Sequence, residues 1–304
     1  MLIPRIITAV VLLAILAVLI SLSNPVYFAV FISLASALTI FEWLRISLNG
    51  TNKQSVAAII ATVGFATFLA CYFLMMPGEG EDNILVALSK PTVFQANPWS
   101  TVVFSLLIML QFFVSFVWIF IVPMVLYQAQ TQVSYNSIFH SILAVFAAFT
   151  TWFTVLITYV FLGAWFLLSF LIIIWCADIF AYFGGKHFGG EKLAPAISPG
   201  KTRSGAICGL ISVAIWMVVS AFIENSFSAL LVKHIGLLGA VAVGVLMAVV
   251  SIFGDLYESL LKRRAGVKDS SQLLPGHGGF WDRLDSVVAV SPIAMCFVFL
   301  LYIQ

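Results

Sequence analysis

Residues 163–185 read GAWFLLSFLIIIWCADIFAYFGG, an apolar run in which Asp178 is the one charged residue. A helix of this length crosses the ~30 Å hydrocarbon core of a bilayer. The whole chain has the same character, because 62% of its 304 residues are hydrophobic and 9% are charged. A soluble domain is about 45–50% apolar. The sequence therefore predicts an all-α, polytopic integral membrane protein and excludes an ordinary soluble domain.

Further apolar runs of similar length extend along the chain and predict nine transmembrane helices in total. The nine runs fall at 6–22, 24–46, 54–76, 101–126, 137–161, 163–185, 203–223, 236–262 and 286–303. The joint between the fifth and sixth runs is the least distinct, because residue 162 alone separates them.

The distribution of Lys and Arg predicts the orientation, because basic loops stay in the cytoplasm. With a cytoplasmic N-terminus, Lys90 and Lys233 are the two of 14 basic residues that lie outside. The acidic loop 77–99 then also faces outside. We therefore expect the basic loops 184–205 and 262–285 on the cytoplasmic side, in the inner membrane of a bacterium.

The most polar segment is 259–285, SLLKRRAGVKDSSQLLPGHGGFWDRLD. An ordinary cytoplasmic loop explains its basic residues but not its PGHGG turn or its acid pair Asp282 and Asp285. Glycines tolerate unusual backbone angles and close approach, so PGHGG, with His277, Gly278 and Gly279, is expected to form a cradle for phosphate. The composition suits an anionic substrate that carries a metal ion.

Four acids are expected at the cytoplasmic edge of the membrane. Asp178 lies on the sixth span, Asp255 on the eighth, and Asp282 and Asp285 at the start of the ninth. An acid at mid-helix costs about 2.5–3.5 kcal/mol on insertion, so such residues normally face a polar cavity. Carboxylates from separate helices repel unless a cation lies between them, and hard oxygen ligands favour Mg²⁺. We predict Asp255 and Asp282 as direct Mg²⁺ ligands, with Asp285 beside them in the metal site.

Simpler explanations exist for some of these acids. Acids in a first turn stabilise a helix by about 0.3–1 kcal/mol, which would account for Asp282 and Asp285 without a metal. Glu258 either pairs with Lys262 one turn further on or takes a functional part. Glu42, at a similar depth on the second span, is expected to be a buried, hydrogen-bonded acid.

The loop ISPGKTRSG, residues 197–205, is expected to bind phosphate. Lys201 supplies a point charge, and Thr202 with the backbone N–H groups that begin the next helix supplies an anion site. The spacing of a P-loop is absent, because Pro195 stands where that motif requires its first glycine before Gly200. This excludes a soluble ATPase of the P-loop type.

The two basic loops carry the motifs of a known family. The polar segment resembles the signature of the phosphatidate cytidylyltransferase (CDP-diacylglycerol synthase) family in Ser259, Lys262, Arg263, Lys268, Asp269, Pro275, His277, Gly278, Gly279, Asp282, Arg283, Leu284 and Asp285. Residues 175–205 are similar to its other motif in Asp178, Ala181, Tyr182, Gly184, Gly189, Lys192, Leu193, Ser198, Pro199, Lys201, Thr202 and Gly205. The two motifs stand in the family's order.

The resemblance implies transfer of CMP from CTP to phosphatidate, giving CDP-diacylglycerol and pyrophosphate in phospholipid synthesis. Its partners would be CTP, phosphatidate and membrane lipids, with Mg²⁺ and a second cation beside it, and without nucleic acid. A homodimer is left open. Residues 161–304 are expected to form the catalytic region, and residues 1–160 an N-terminal scaffold in the same membrane domain.

Residue roles follow from the two motifs and from the acids expected at the membrane edge. The expected catalytic residues are Asp255, Asp282, Lys201, Lys262, Lys268 and Asp285. The expected substrate-binding residues are Asp178, Ser198, Thr202, Ser259, Arg263, His277, Gly278, Gly279 and Arg283.

Two other functions are kept open. One is a related cytidylyltransferase or kinase that acts on a polyprenol-type lipid. The other is a membrane transporter, which would favour ionisable residues near the bilayer midplane. The acids of this chain gather at one edge instead, which favours an enzyme.

Overall fold

The computed structural model describes residues 2–22, 24–75, 98–129, 131, 138–276 and 278–302. Within these ranges the chain is almost entirely helical. The helices are α1 Leu2–Leu22, α2 Pro25–Ser47, α3 Lys53–Met75, α4 Pro98–Phe116, α5 Val122–Gln128, α6 Ile138–Ile157, α7 Ala164–Phe188, α8 Arg203–Ala221, α9 Phe227–Arg264 and α10 Trp281–Tyr302. The π-helical turns Val117–Ile121 and Thr158–Leu162 join α4 to α5 and extend α6.

Eight helical segments of the described residues are long and apolar enough to cross a bilayer. They are 25–47, 53–75, 105–128, 138–162, 164–188, 203–221, 227–264 and 281–301. The remaining predicted span, 6–22, coincides with α1. The prediction of an all-α, polytopic membrane protein is confirmed.

Several helix ends differ from the predicted spans. Gly163, with φ 90° and ψ 164°, separates α6 and its π-turn from α7, so the least distinct joint is a break of one residue. Helix α9 begins at Phe227, before the predicted 236, and has a kink at Gly236, where φ is 72°. Helix α10 begins at Trp281, five residues before the predicted 286.

A short hairpin interrupts the all-helical pattern in the loop between α7 and α8. Strand β1, Lys192–Ala194, pairs antiparallel with β2, Ser198–Thr202. The buried side chain of Ile197 packs against Leu256 and Leu260 of α9. This contact fixes the hairpin against α9 and gives Lys201 of β2 a defined position.

Two glycines allow the helices around the loops to approach closely. A Cβ added at Gly205 of α8 would lie 2.5 Å from the carbonyl oxygen of Ala181 on α7. A Cβ at Gly254 of α9 would lie 2.6 Å from the carbonyl oxygen of Asp285 on α10. Gly254 directly precedes Asp255 in the chain. The contact therefore brings Asp255 of α9 close to Asp285 of α10.

Candidate active site

A cavity of about 700 Å³ lies between α7, the hairpin, the start of α8, α9 and α10. Acidic and basic side chains line it together. The charged residues of its lining are Asp178, Lys186, Lys192, Lys201, Asp255, Glu258, Lys262, Asp269, Asp282, Arg283 and Asp285. The structure thus brings both sequence motifs to one site.

Three acids of the cavity form a compact group, the acid trio Asp255, Glu258 and Asp285. One carboxylate oxygen from each lies within 4.8 Å of the other two. Glu258 is buried, and its Oε1 atom has no hydrogen-bond partner among the described residues. A buried carboxylate oxygen without a donor is unfavourable, because it has lost its water without replacement. The trio is therefore suited to a cation.

Lys201 is paired with one member of the acid trio. Its Nζ atom lies 2.5 Å from Asp255 Oδ2. Ser259 Oγ is 3.4 Å from Asp255 Oδ1, and the backbone N–H of Ser286 donates to Asp285 Oδ1 at 2.7 Å. The hairpin therefore holds a positive charge against the trio.

Asp282 lies outside the acid trio and organises the loop before α10. Lys262 Nζ donates to Asp282 Oδ1 at 2.7 Å and, at the same distance, to Glu258 Oε2. Asp282 Oδ2 accepts from the N–H of Ser270 at 2.9 Å and from the N–H of Gly279 at 2.6 Å, and Ser270 Oγ lies 2.9 Å from it. The two backbone donors already use the two lone pairs of that oxygen. The trio thus contains Glu258 where the sequence predicted Asp282.

The PGHGG turn is shaped around this carboxylate. Gly278 has φ 85°, which L side chains rarely adopt, and a Cβ there would overlap Asp282 Oδ2. A Cβ at Gly279 would overlap the carboxylate of Glu42 and the hydroxyl of Ser270. Both glycines make room for protein groups and are not among the residues that line the cavity. His277 lies outside the described residues, so its predicted role stays a prediction.

The other predicted residues divide into two sets. Asp178, Lys201, Thr202, Asp255, Lys262, Asp282, Arg283 and Asp285 line the cavity, whereas Ser198, Ser259, Arg263 and Lys268 do not. Arg263 is exposed, and its Nε lies 3.4 Å from the carbonyl oxygen of Ile197. Lys268 lines a separate cavity of about 510 Å³ with Arg45, Val267, Asp269, Ser271 and Gln272.

Thr202 has a structural task within the lining. Its hydroxyl is the N-cap of α8 and accepts from the N–H of Gly205 at 3.1 Å. Ser204 Oγ lies 3.1 Å from the same hydroxyl and donates to the carbonyl oxygen of Gly189. These contacts fix the turn that follows Lys201.

Four charged residues of the lining were not among the predicted site residues: Lys186, Lys192, Glu258 and Asp269. Asp269 belongs to the motif over 259–285. Lys192 belongs to the motif over 175–205, which was a usable signal. Lys186 stands in the last turn of α7, where basic residues are common for reasons of helix stability. Glu258 pairs with Lys262, which was one of the two alternatives predicted from the sequence. It also belongs to the acid trio.

Comparison with known proteins identifies the family. The cytidylyltransferase family matches residues 3–301, and the chain belongs to this family. A phosphatidate cytidylyltransferase of Haemophilus influenzae is 47% identical over 138 residues, which are 45% of this chain and 46% of that protein. Proteins of the same name from Pseudomonas aeruginosa and Rickettsia felis are 44% identical over 127 residues and 38% over 135.

These two alignments each cover 42% of this chain and 45% and 56% of the respective relatives. The chain thus matches about half the length of the curated relatives. The resemblance seen in the motifs is confirmed at the level of the family.

Proposed function

We propose that this protein transfers CMP from CTP to phosphatidate, forming CDP-diacylglycerol and releasing pyrophosphate. Membership of the cytidylyltransferase family and the names of the relatives support this chemistry. The observation that carries the proposal is the cavity in which the acid trio lies beside Lys201, Lys262 and Arg283. Such a site serves substrates that are anionic and bind a metal.

The charge of the two substrates explains the basic side chains. A phosphate monoester carries about −1.5 to −2 charges at pH 7, so CTP and phosphatidate in one cavity require several cations. Lys186, Lys192, Lys201, Lys262 and Arg283 line the cavity and supply them. They come from α7, the hairpin, α9 and α10, so they can surround phosphate groups from several sides.

The acid trio fits Mg²⁺. Magnesium takes oxygen ligands, commonly one or two carboxylates together with phosphates and waters. The buried Oε1 of Glu258, without a donor among the described residues, is an oxygen that such an ion would satisfy. Asp255, Glu258 and Asp285 would hold the ion, which when bound neutralises and orients phosphate oxygens. The sequence assignment of Asp282 as a ligand is the alternative, and a second cation remains an expectation from the family resemblance.

The proposed reaction needs positioning more than a strong base. A phosphate oxygen of phosphatidate is already anionic near neutral pH and attacks the α-phosphorus of CTP. The new P–O bond forms while the bond from the α-phosphorus to the bridging oxygen breaks, and that oxygen leaves with its electron pair on pyrophosphate. Lys201, Lys262 and Arg283 reduce repulsion between the reacting anions and hold them in line.

The position of the cavity suits a lipid substrate. Asp178 and Tyr182 line it from α7, and Tyr182 is 63% exposed. The neighbouring side chains of Ile179 and Phe183 are also exposed, as expected on a face that contacts lipid. A phosphatidate head group can therefore enter sideways from the bilayer while CTP arrives from water. The charge distribution supports a cytoplasmic site in a bacterial inner membrane, with residues 161–304 as the catalytic region.

A direct assay tests the proposal. Purified protein in mixed micelles is given phosphatidate, CTP and Mg²⁺, and CDP-diacylglycerol and pyrophosphate are measured. We expect both products in equal amounts, dependent on CTP and Mg²⁺, and little competition from dolichyl or polyprenyl phosphate. Conversion of a polyprenol-type lipid but not of phosphatidate by folded protein would overturn the proposal.

A further inference from the structure

Glu42 of α2 is a buried acid that binds the segment leading into α10. The residue is 1% exposed, and Ser271 Oγ donates to its Oε1 atom at 2.6 Å. Ser270 Oγ and the backbone N–H of Trp281 each donate to Oε2 at 2.8 Å. The expectation of a buried, hydrogen-bonded acid is confirmed. All three donors belong to the segment 270–281.

One of these donors also contacts an acid of the cavity. Ser270 Oγ lies 2.8 Å from Glu42 Oε2 and 2.9 Å from Asp282 Oδ2, so its hydroxyl proton can be donated to either carboxylate. Asp282 in turn accepts from Lys262, which also donates to Glu258. A continuous path of hydrogen bonds thus runs from α2 to the acid trio.

Helix α2 also holds the first residue of α10 through its side chain. The rings of Trp43 and Trp281 stack with centroids 4.5 Å apart and planes inclined by 8°. Glu42 binds the backbone of the same Trp281. The first N–H groups of a helix lack partners within it, and a carboxylate near them is favoured by the helix dipole. Glu42 therefore caps α10 from a different helix.

We propose that Glu42 is a positioning residue for the active site. By fixing Ser270 and the start of α10, it holds Asp282 and, through Asp282, the ammonium group of Lys262. Glu42 is not among the residues that line the cavity, so it acts through these neighbours. The consequence for catalysis rests on the proposed function, whereas the anchoring of the 270–281 segment does not.

Two substitutions test the role in the full-length protein. Glu42→Ala removes all three acceptor contacts, and Glu42→Gln keeps the shape but presents an amide N–H₂ group where one donor needs an oxygen. Ser47→Ala is the matched control, because Ser47 is buried on the same helix and bonds Ser141 of α6 at 2.8 Å instead of the 270–281 segment.

The first measurement is hydrogen–deuterium exchange of the substrate-free protein. We expect the N–H groups of Ser270, Gly279 and Trp281 to exchange about tenfold faster or more in Glu42→Ala, because they lose direct or relayed partners. Glu42→Gln should change them in the same direction by less, and Ser47→Ala should leave them unchanged. Unchanged exchange in both Glu42 variants would overturn the anchoring role.

The second measurement is steady-state kinetics. We expect kcat of Glu42→Gln to fall about tenfold while KM for CTP changes less than about threefold, because the reacting groups lose alignment but the binding cations remain. An equal fall in kcat in Ser47→Ala, or a normal kcat in Glu42→Gln with accelerated exchange, would overturn the positioning role. Wild-type protein without activity would instead contradict the proposed function, and the exchange result would still decide the anchoring. If Glu42→Ala does not purify, Glu42→Gln carries both measurements.

Discussion

Lys201 Nζ lies 2.5 Å from Asp255 Oδ2, so a lysine of the β2 strand neutralises an acid of α9. Lys262 Nζ likewise lies 2.7 Å from Glu258 Oε2 and 2.7 Å from Asp282 Oδ1. The acids that could hold a metal are thus paired with the lysines that could hold phosphate. Metal and phosphate binding should depend on each other, and variants at these positions can separate them.

Lys201→Ala should lower turnover on the order of 100-fold, because a cation beside the reacting phosphates is lost. Mg²⁺ affinity without nucleotide should stay normal or rise, because Lys201 competes with a metal for Asp255. Turnover assays in neutral detergent micelles and calorimetric titration with Mg²⁺ measure the two effects.

Arg203→Ala is the control for this experiment, because Arg203 pairs with Glu191 where both side chains are largely exposed. Exposed pairs contribute about 0–1 kcal/mol, so this variant should be nearly normal. Near-normal turnover of Lys201→Ala would contradict the catalytic role and leave Lys201 as a contact for anionic head groups, worth ~1 kcal/mol.

Glu258→Gln and Asp255→Asn should each weaken Mg²⁺ binding about tenfold or more, because each removes a charged oxygen of the acid trio. Asp282→Asn should affect Mg²⁺ affinity less and disturb the loop before α10 instead. Titration of nucleotide-free protein with Mg²⁺ compares the three variants. If Asp282→Asn instead binds Mg²⁺ weakly and Glu258→Gln binds it with normal affinity, the result would support Asp282 as a ligand, as predicted from the sequence.

Lys262→Met should destabilise the protein by about 3–5 kcal/mol, because it leaves two nearly buried carboxylates facing each other without a cation. Glu258 and Asp282 have side chains that are 3% and 4% exposed. Adding Glu258→Gln should restore part of the stability by removing one of the like charges. Unfolding of the single and double variants in detergent measures both effects; a double variant less stable than Lys262→Met would contradict the explanation.

Single cysteines should report the orientation in a background without the four native cysteines. A cysteine at Gln272 should react only with reagent on the cytoplasmic side, and one at Glu224 only with reagent outside. Both residues are exposed, whereas Ser270 is fully buried and unsuitable for labelling. As a control, both cysteines should react after the membranes are opened so that the reagent reaches both sides. The reverse pattern would invert the proposed orientation.

The sequence by itself determined the class of fold and the two segments that supply most of the cavity lining. Membrane spans are readable because each satisfies its own backbone hydrogen bonds and needs only a long apolar run. The motifs over 175–205 and 259–285 likewise lie within continuous stretches of chain. The short hairpin was not predictable in this way, because its strands of three and five residues are held by the packing of Ile197 on α9.

Only the tertiary structure decided which acids meet. The sequence favoured Asp282 over Asp285 as a direct metal ligand, but the close approach at Gly254 places Asp285 beside Asp255, while Asp282 accepts donors from the loop and from Lys262. Glu42 was predicted to be buried, yet its partners are 228 to 239 residues away in the chain. Local patterns contain no information about such pairs, because a carboxylate's surroundings depend on how separate helices pack.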